Sequence, residues 1–186
     1  MTIRRMDNVL IVVDDLEAAK SFFIELGLEL EGETQVGGPS VDSLIGLKDV
    51  RATLAFMRTP DGHGRIELDK FHTPAAIRFG PVDAPVNALG IRRIMFAVEG
   101  IDAVVARLRA HGAELLGEVV QYEDTNRLAY IRGPEGIIVG LAEEIRKAFH
   151  RTGKGAARPK PFSRAKPPGR KKAARKAGGS PKRRKA

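Results

Sequence analysis

Apolar positions set the frame of the first thirty-five residues. Val9 to Val13 is an apolar, largely β-branched run that predicts a strand. Asp14-Asp15 follows with N-cap chemistry and negative charge suited to a helix start. Leu16, Ala19, Phe22, Phe23 and Leu26 then recur at helical spacing, and Gly27 stands where a left-handed residue ends a helix. Leu28 to Gly32 predicts the next strand. Leu54 to Arg58 and Ile66 to Leu68 predict two more, joined through Pro60-Asp61-Gly62, a hairpin turn signal.

The same order returns further on. Residues 91–120 align with residues 6–35 without a gap at an offset of 85. Val13 matches Val98, Gly27 matches Gly112, and Glu29, Leu30, Gly32 and Glu33 match Glu114, Leu115, Gly117 and Glu118. A second match pairs residues 54–62 with 128–136 at an offset of 74, both reading L-A-aromatic-aliphatic-R-x-P-acid-G. The first half therefore carries about 11 extra residues between its two matches. Two matches in the same order point to duplication. The expected fold is α+β: two tandem βαβββ modules, about 4–72 and 90–145, whose curled mixed sheets surround a shared cleft. Lys70 to Leu89, with three prolines and no clear period, is expected to link the modules and cover that cleft.

Charge divides the chain. Of 186 residues, 146–186 hold 17 Lys/Arg and no Asp or Glu, whereas 1–145 hold 15 Lys/Arg against 23 Asp/Glu, a balance of −8. An acidic domain thus precedes a polycationic tail, two parts with separate physical roles. The tail is rich in Lys, Arg, Ala, Pro and Gly, with little apolar surface to bury, and is expected to be disordered. Lys171, Lys172, Arg175, Lys176, Lys182, Arg183, Arg184 and Lys185 are its candidate nucleic-acid contacts, in a sequence-independent, salt-sensitive mode. A solubilising tail, or one for another acidic partner, is the alternative. The absence of Cys excludes disulfides, thiolate metal sites and a Cys nucleophile. With no apolar run of membrane length and no signal-peptide pattern at the start, the expected location is cytoplasmic, with nucleoid association through the tail. No Ser-His-Asp spacing, phosphate-binding loop or dinucleotide fingerprint occurs.

The βαβββ order used twice, the run D-D-L-E-x-A-x-x-F-F-x-x-L-G after strand one, and G-P-E-G before the last strand resemble the vicinal oxygen chelate superfamily. Its members include glyoxalase I, extradiol dioxygenases, methylmalonyl-CoA epimerase, and fosfomycin and bleomycin resistance proteins. The resemblance covers about residues 4–145 and speaks for the fold more than for one chemistry. It implies a divalent metal at four positions, two on the first strands and two on the last. Here they fall on Asn8 and Arg93, where the family usually has His, and on Glu67 and Gly140, where it usually has Glu. Only Glu67 keeps the pattern. Arg93 carries a permanent charge, and a fixed cation about 4 Å from a divalent ion costs several kcal/mol at moderate dielectric. No cofactor is therefore expected, and a metal is disfavoured; Arg93 would replace the metal's charge and pair with Glu67 or with an anionic ligand.

Two classes follow. One is a small-molecule-binding protein acting by sequestration, with Asn8, Arg93, Phe56 and Tyr130 as ligand contacts. The other is a metal-dependent or rearranged-site lyase, isomerase or dioxygenase, using Glu67 and His72 as catalytic groups. Each residue also has a plainer reading: Arg93 and Glu67 as a structural ion pair, Phe56 and Tyr130 as core aromatics. His63 reads as a turn residue, His111 as a helix-end residue, and Tyr122-Glu123-Asp124 as a solvated turn. A homodimer is compatible with the resemblance, since family members often build clefts across two chains.

Overall fold

The structure, a computed structural model, describes residues 5–145. The eight tail residues proposed for nucleic-acid contact, and the tail's expected disorder, lie outside the described residues.

The first module runs β1 (Val9–Val12), α1 (Leu16–Leu26), β2 (Glu29–Gly37), α2 (Pro39–Ile45), β3 (Arg51–Arg58) and β4 (Arg65–Thr73). The second runs β5 (Ile94–Ala97), α3 (Ile101–Ala110), β6 (Glu114–Tyr122), β7 (Asn126–Arg132), a 3₁₀ turn (Pro134–Gly136) and β8 (Ile138–Glu144). Each module forms one four-stranded mixed sheet. The orders, β1-β4-β3-β2 and β5-β8-β7-β6, are the same, with only the β1·β4 and β5·β8 pairs parallel. The expected α+β fold of two βαβββ modules is the observed one.

Local sequence explains the helices. Asp15 caps α1, its carboxylate accepting from Ala18 N–H at 2.9 Å. Gly27 ends α1 at φ 115°, in the left-handed region, where its N–H reaches the carbonyls of Phe23 and Ile24. α3 begins at Gly100 without a side-chain cap. Glu143 supplies the acceptor instead, taking the Gly100 N–H at 2.5 Å. Arg127 adds a bidentate pair to Asp102 in the first turn of α3, both contacts 2.7 Å. The buried stripes are those expected: Leu16, Ala19, Phe22, Phe23 and Leu26 on α1, and Ile101, Val104, Val105 and Leu108 on α3. They join Ala55, Met57, Ile66, Leu68, Ile131, Val139 and Leu141 from the sheets in one core shared by both modules.

Several boundaries differ from the expectation: β2 continues to Gly37 rather than Gly32, and β3 begins at Arg51 rather than Leu54. The extra residues of the first half form α2, a short helix with no buried residue, whereas β6 and β7 are joined directly through Glu123–Thr125. Tyr122 is the last residue of β6 rather than part of that turn. β4 continues to Thr73, so the inter-module link starts at Pro74 rather than Lys70. Lys70 pairs with Thr53 and Phe71 with Ala52, and the extra ladder hydrogen bonds hold the strand past the expected stop. Among the described residues no helix is long and apolar enough to cross a membrane.

Candidate functional site

Strand alternation sorts the side chains. Ile66 and Leu68 of β4 face the helices and are buried, which puts Glu67 and Asp69 on the opposite face. The register brings the site positions together in matching ways. Glu67 lies beside Leu10 on β1 and Phe56 on β3, while Gly140 lies beside Met95 on β5 and Tyr130 on β7. Leu10 and Met95 are repeat partners, as are Phe56 and Tyr130, so the two modules carry one frame with different chemistry in it.

In the first module, the Asn8 amide donates to the Glu67 carboxylate. Phe56, half-buried, has the Arg65 guanidinium 5.8 Å from its ring centre. Arg65 is committed elsewhere, to Glu31 at 2.6 Å. Asp69, two residues beyond Glu67, is 6% exposed, and its Oδ1 has no hydrogen-bond partner. Burial, with the Glu67 charge second, pushes its carboxyl up to about 6.

In the second module, the Arg93 guanidinium lies 4.8 Å from the Tyr130 ring centre, a cation–π distance. The place of a side chain at Gly140 is taken: a Cβ there would lie 2.7 Å from Met95 Sδ and 3.4 Å from Tyr130 Cε1. Arg93 does not reach Glu67; among the described residues neither forms an ion pair. Arg93 stacks instead on Tyr130 of its own module, and Glu67 takes the Asn8 amide of its own. A cavity of about 200 Å³ opens between the modules, bounded by Leu10 of β1 and by Arg93, Ile94 and Ile138. Leu10 and Met95, 49% and 44% exposed, add apolar surface to these faces.

His72 is not brought to this face. Its Nε2 lies 2.8 Å from the Thr53 hydroxyl, and Thr53 has the parity of Ala55 and Met57, which face the core. His63 sits in the exposed β3–β4 turn, its N–H donating to Asp61. His111 ends α3, its Nδ1 3.0 Å from the Arg107 carbonyl. The residue that sequence reasoning missed is Asp69. The signal was present in R-I-E-L-D, where alternation places a second carboxylate on the face of Glu67.

The donor set does not fit a divalent metal. Asn8 presents its NH₂ to Glu67, so its oxygen is turned away from that carboxylate. Gly140 brings no donor, and Arg93 brings a fixed positive charge. Among the described residues no cluster of three or more His, Asp or Glu is placed to hold a metal ion.

The sequence profile of the Glyoxalase/Bleomycin resistance protein/Dioxygenase superfamily matches residues 5–141. Among solved structures, a glyoxalase family protein from Bacillus cereus is 56% identical, with a TM-score of 0.75; the match covers 78% of this chain and 97% of that one. A glyoxylase/bleomycin resistance protein/dioxygenase domain from Frankia is 17% identical (TM-score 0.54), covering 77% and 100%. A glyoxalase family protein from Enterococcus faecalis is 23% identical (TM-score 0.51), again covering 77% and 100%. The last two speak for the fold alone. Among curated proteins none matches the chain. With the profile spanning both modules and the duplicated sheets in matching register, the chain belongs to the Glyoxalase/Bleomycin resistance protein/Dioxygenase superfamily.

Proposed function

We propose that the protein binds a small organic anion on the open sheet faces at the seam between its modules, without a divalent metal. The observation that carries this is the Arg93–Tyr130 stack. It puts an exposed guanidinium, with no carboxylate partner among the described residues, at a position where the resemblance implies a metal ligand. A guanidinium recognises carboxylate, phosphate or sulfonate groups through its planar set of donors. Leu10 and Met95 offer apolar surface to the rest of the ligand, and Tyr130 fixes the plane of the arginine. Binding without turnover would make the protein a sequestering agent.

Thermal-shift measurements with a panel of aromatic and aliphatic carboxylates and phosphates, with and without EDTA, test this. Stabilisation that persists in EDTA and is lost in Arg93→Gln is the expected result. Stabilisation only after a divalent metal is added, or stoichiometric metal in the purified protein, would refute it.

One observation favours a second reading, that of a metal-free isomerase or lyase. The Glu67–Asp69 pair contains a carboxyl held at about 6, in the range useful for proton transfer. Such an enzyme would lose turnover, with binding retained, in Asp69→Asn as well as in Glu67→Gln. The charge split carries a separate proposal for the tail, non-specific binding of nucleic acid. Retention on DNA should be steeply salt-dependent for the whole chain and absent for residues 1–145; equal retention would sink it.

A further inference from the structure

The duplication gives both walls of the seam the same frame, yet the two walls carry opposite charge. Position 8 and its repeat partner 93 hold an amide and a guanidinium. Position 67 and its counterpart 140 hold a carboxylate and no side chain. The site is therefore negative on the first module and positive on the second. A duplicated cleft with like residues in both halves would have no polarity, whereas this one has two distinguishable ends.

Each charge is held in place and left open. On the first wall, the Asn8 amide donates to Glu67 Oε2. Glu67 Oε1 has no hydrogen-bond partner among the described residues and, unlike Asp69 Oδ1, is not shut off from solvent. Arg65, two residues before Glu67 on the same face, is held by Glu31 at 2.6 Å. Asp69, two residues after it, adds negative potential to this wall, although its enclosed Oδ1 offers no contact. On the second wall, the Tyr130 ring supports one face of the Arg93 guanidinium at 4.8 Å. The N–H edge of that guanidinium has no acceptor among the described residues.

The surface that joins the two charges is apolar. Leu10 lies beside Glu67 and bounds the cavity that Arg93 also lines. Met95, the repeat partner of Leu10, lies beside Gly140, and both side chains are exposed. A simple anion seated on Arg93 would satisfy one wall and leave the carboxylates of the other unpaired across a partly dry seam, where like charges repel at longer range than in water. A cationic nitrogen at the far end of the same molecule turns that repulsion into a second charge-assisted contact. Arg93 and Glu67 stand on different sheets and form no ion pair, so the two charges of the ligand must be separated by a chain. In an α-amino acid they are adjacent.

We propose that the ligand is an aliphatic zwitterion with its charges at opposite ends, of the ω-amino carboxylate class, an inference that rests on Arg93 as the anion contact. The acid group takes the N–H edge of Arg93, the ammonium donates to Glu67 Oε1, and the chain between them lies on Leu10 and Met95. Glu67 is then the residue that sets specificity, and Asn8 is the positioning residue that turns its free oxygen toward the seam.

Calorimetric titration of the full chain with ω-amino carboxylates of increasing chain length, each beside the plain carboxylate of the same length, provides the test. At one favoured length the amino compound is expected to bind about tenfold more tightly than its plain match, the scale of one charge-assisted contact. Glu67→Gln should remove that advantage and leave the plain carboxylate bound as before. Glu67→Asp should keep the advantage and move the favoured length toward the next longer chain, a shift that a merely structural role of Glu67 would not give. Equal affinity of amino and plain compounds at every length, or an advantage untouched by Glu67→Gln, overturns this inference, while binding that still depends on Arg93 leaves the anion site standing. Binding of neither series, or binding indifferent to Arg93→Gln, overturns the anion site and this inference with it.

Discussion

Replacing Asp69 by asparagine keeps the shape of the side chain and removes a charge that the fold holds under protest. The carboxyl rises from 3.8 to about 6 through burial and the nearby Glu67 charge. Two units at 1.36 kcal/mol each make ionised Asp69 a cost of about 3 kcal/mol to the folded state. The folded pKa exceeds the unfolded one, so the folded protein holds this proton more tightly. The cost is absent below about pH 3.8, grows through the interval up to about 6, and is complete above it; stability falls as pH rises through that window. An asparagine at this position would carry no such cost, although its amide brings its own unmet donor, about 1 kcal/mol. Asp69→Asn should therefore stabilise the protein by about 1–2 kcal/mol at pH 7.5, and the gain should shrink to nothing or reverse near pH 4. Urea unfolding followed by circular dichroism at both pH values measures the difference directly. A gain of equal size at both, or a loss at pH 7.5, would show that Asp69 is not a buried unpaired anion.

Other substitutions probe separate links. Gly133→Ala drives a methyl into the Phe22 ring, 2.7 Å away, and should cost about 1–3 kcal/mol by overpacking; Phe22→Leu in the same chain should recover part of it in thermal melts. Asp15→Ala removes the acceptor for Ala18 N–H and should cost about 1 kcal/mol, seen as a lower urea midpoint with unchanged slope. Arg93→Gln should change stability by no more than about 1 kcal/mol, the scale of an exposed cation–π contact, while calorimetry shows anion affinity reduced at least tenfold, about the 1.4 kcal/mol of one lost charge-assisted contact.

Much of the scaffold was legible because its signals are periodic and local. The stripes of α1 and α3, the capping Asp15 and the Pro60-Asp61-Gly62 turn each follow from a handful of adjacent residues. The duplication then transferred positions from one half to the other. The register agrees with that transfer, setting Leu10 beside Glu67 as it sets Met95 beside Gly140. α2 escaped because it buries nothing and so leaves no apolar period. β2 is an edge strand, exposed along most of its length, and its far end carries no alternation to read. At the site, the positions were legible and the contacts were not. That Arg93 would choose Tyr130 over Glu67 depends on distances between side chains. Asp69 lay on a face that alternation identifies, but its burial is set by neighbours from β1 and β3 that sequence does not place.

The Met95 side chain over Gly140 also bears on how such a protein can change. Its sulfur and terminal methyl occupy the volume that a side chain at position 140 would take, and methionine yields easily, so sterics alone would admit a carboxylate by Gly140→Glu. The obstacle is electrostatic. Arg93 stacks on the same Tyr130 ring that borders Gly140, so a new carboxylate there would have a permanent cation close by, in competition with any divalent ion. The two positions are thereby coupled: an acid introduced at position 140 would be open to a divalent ion only in a chain that also lacks Arg93.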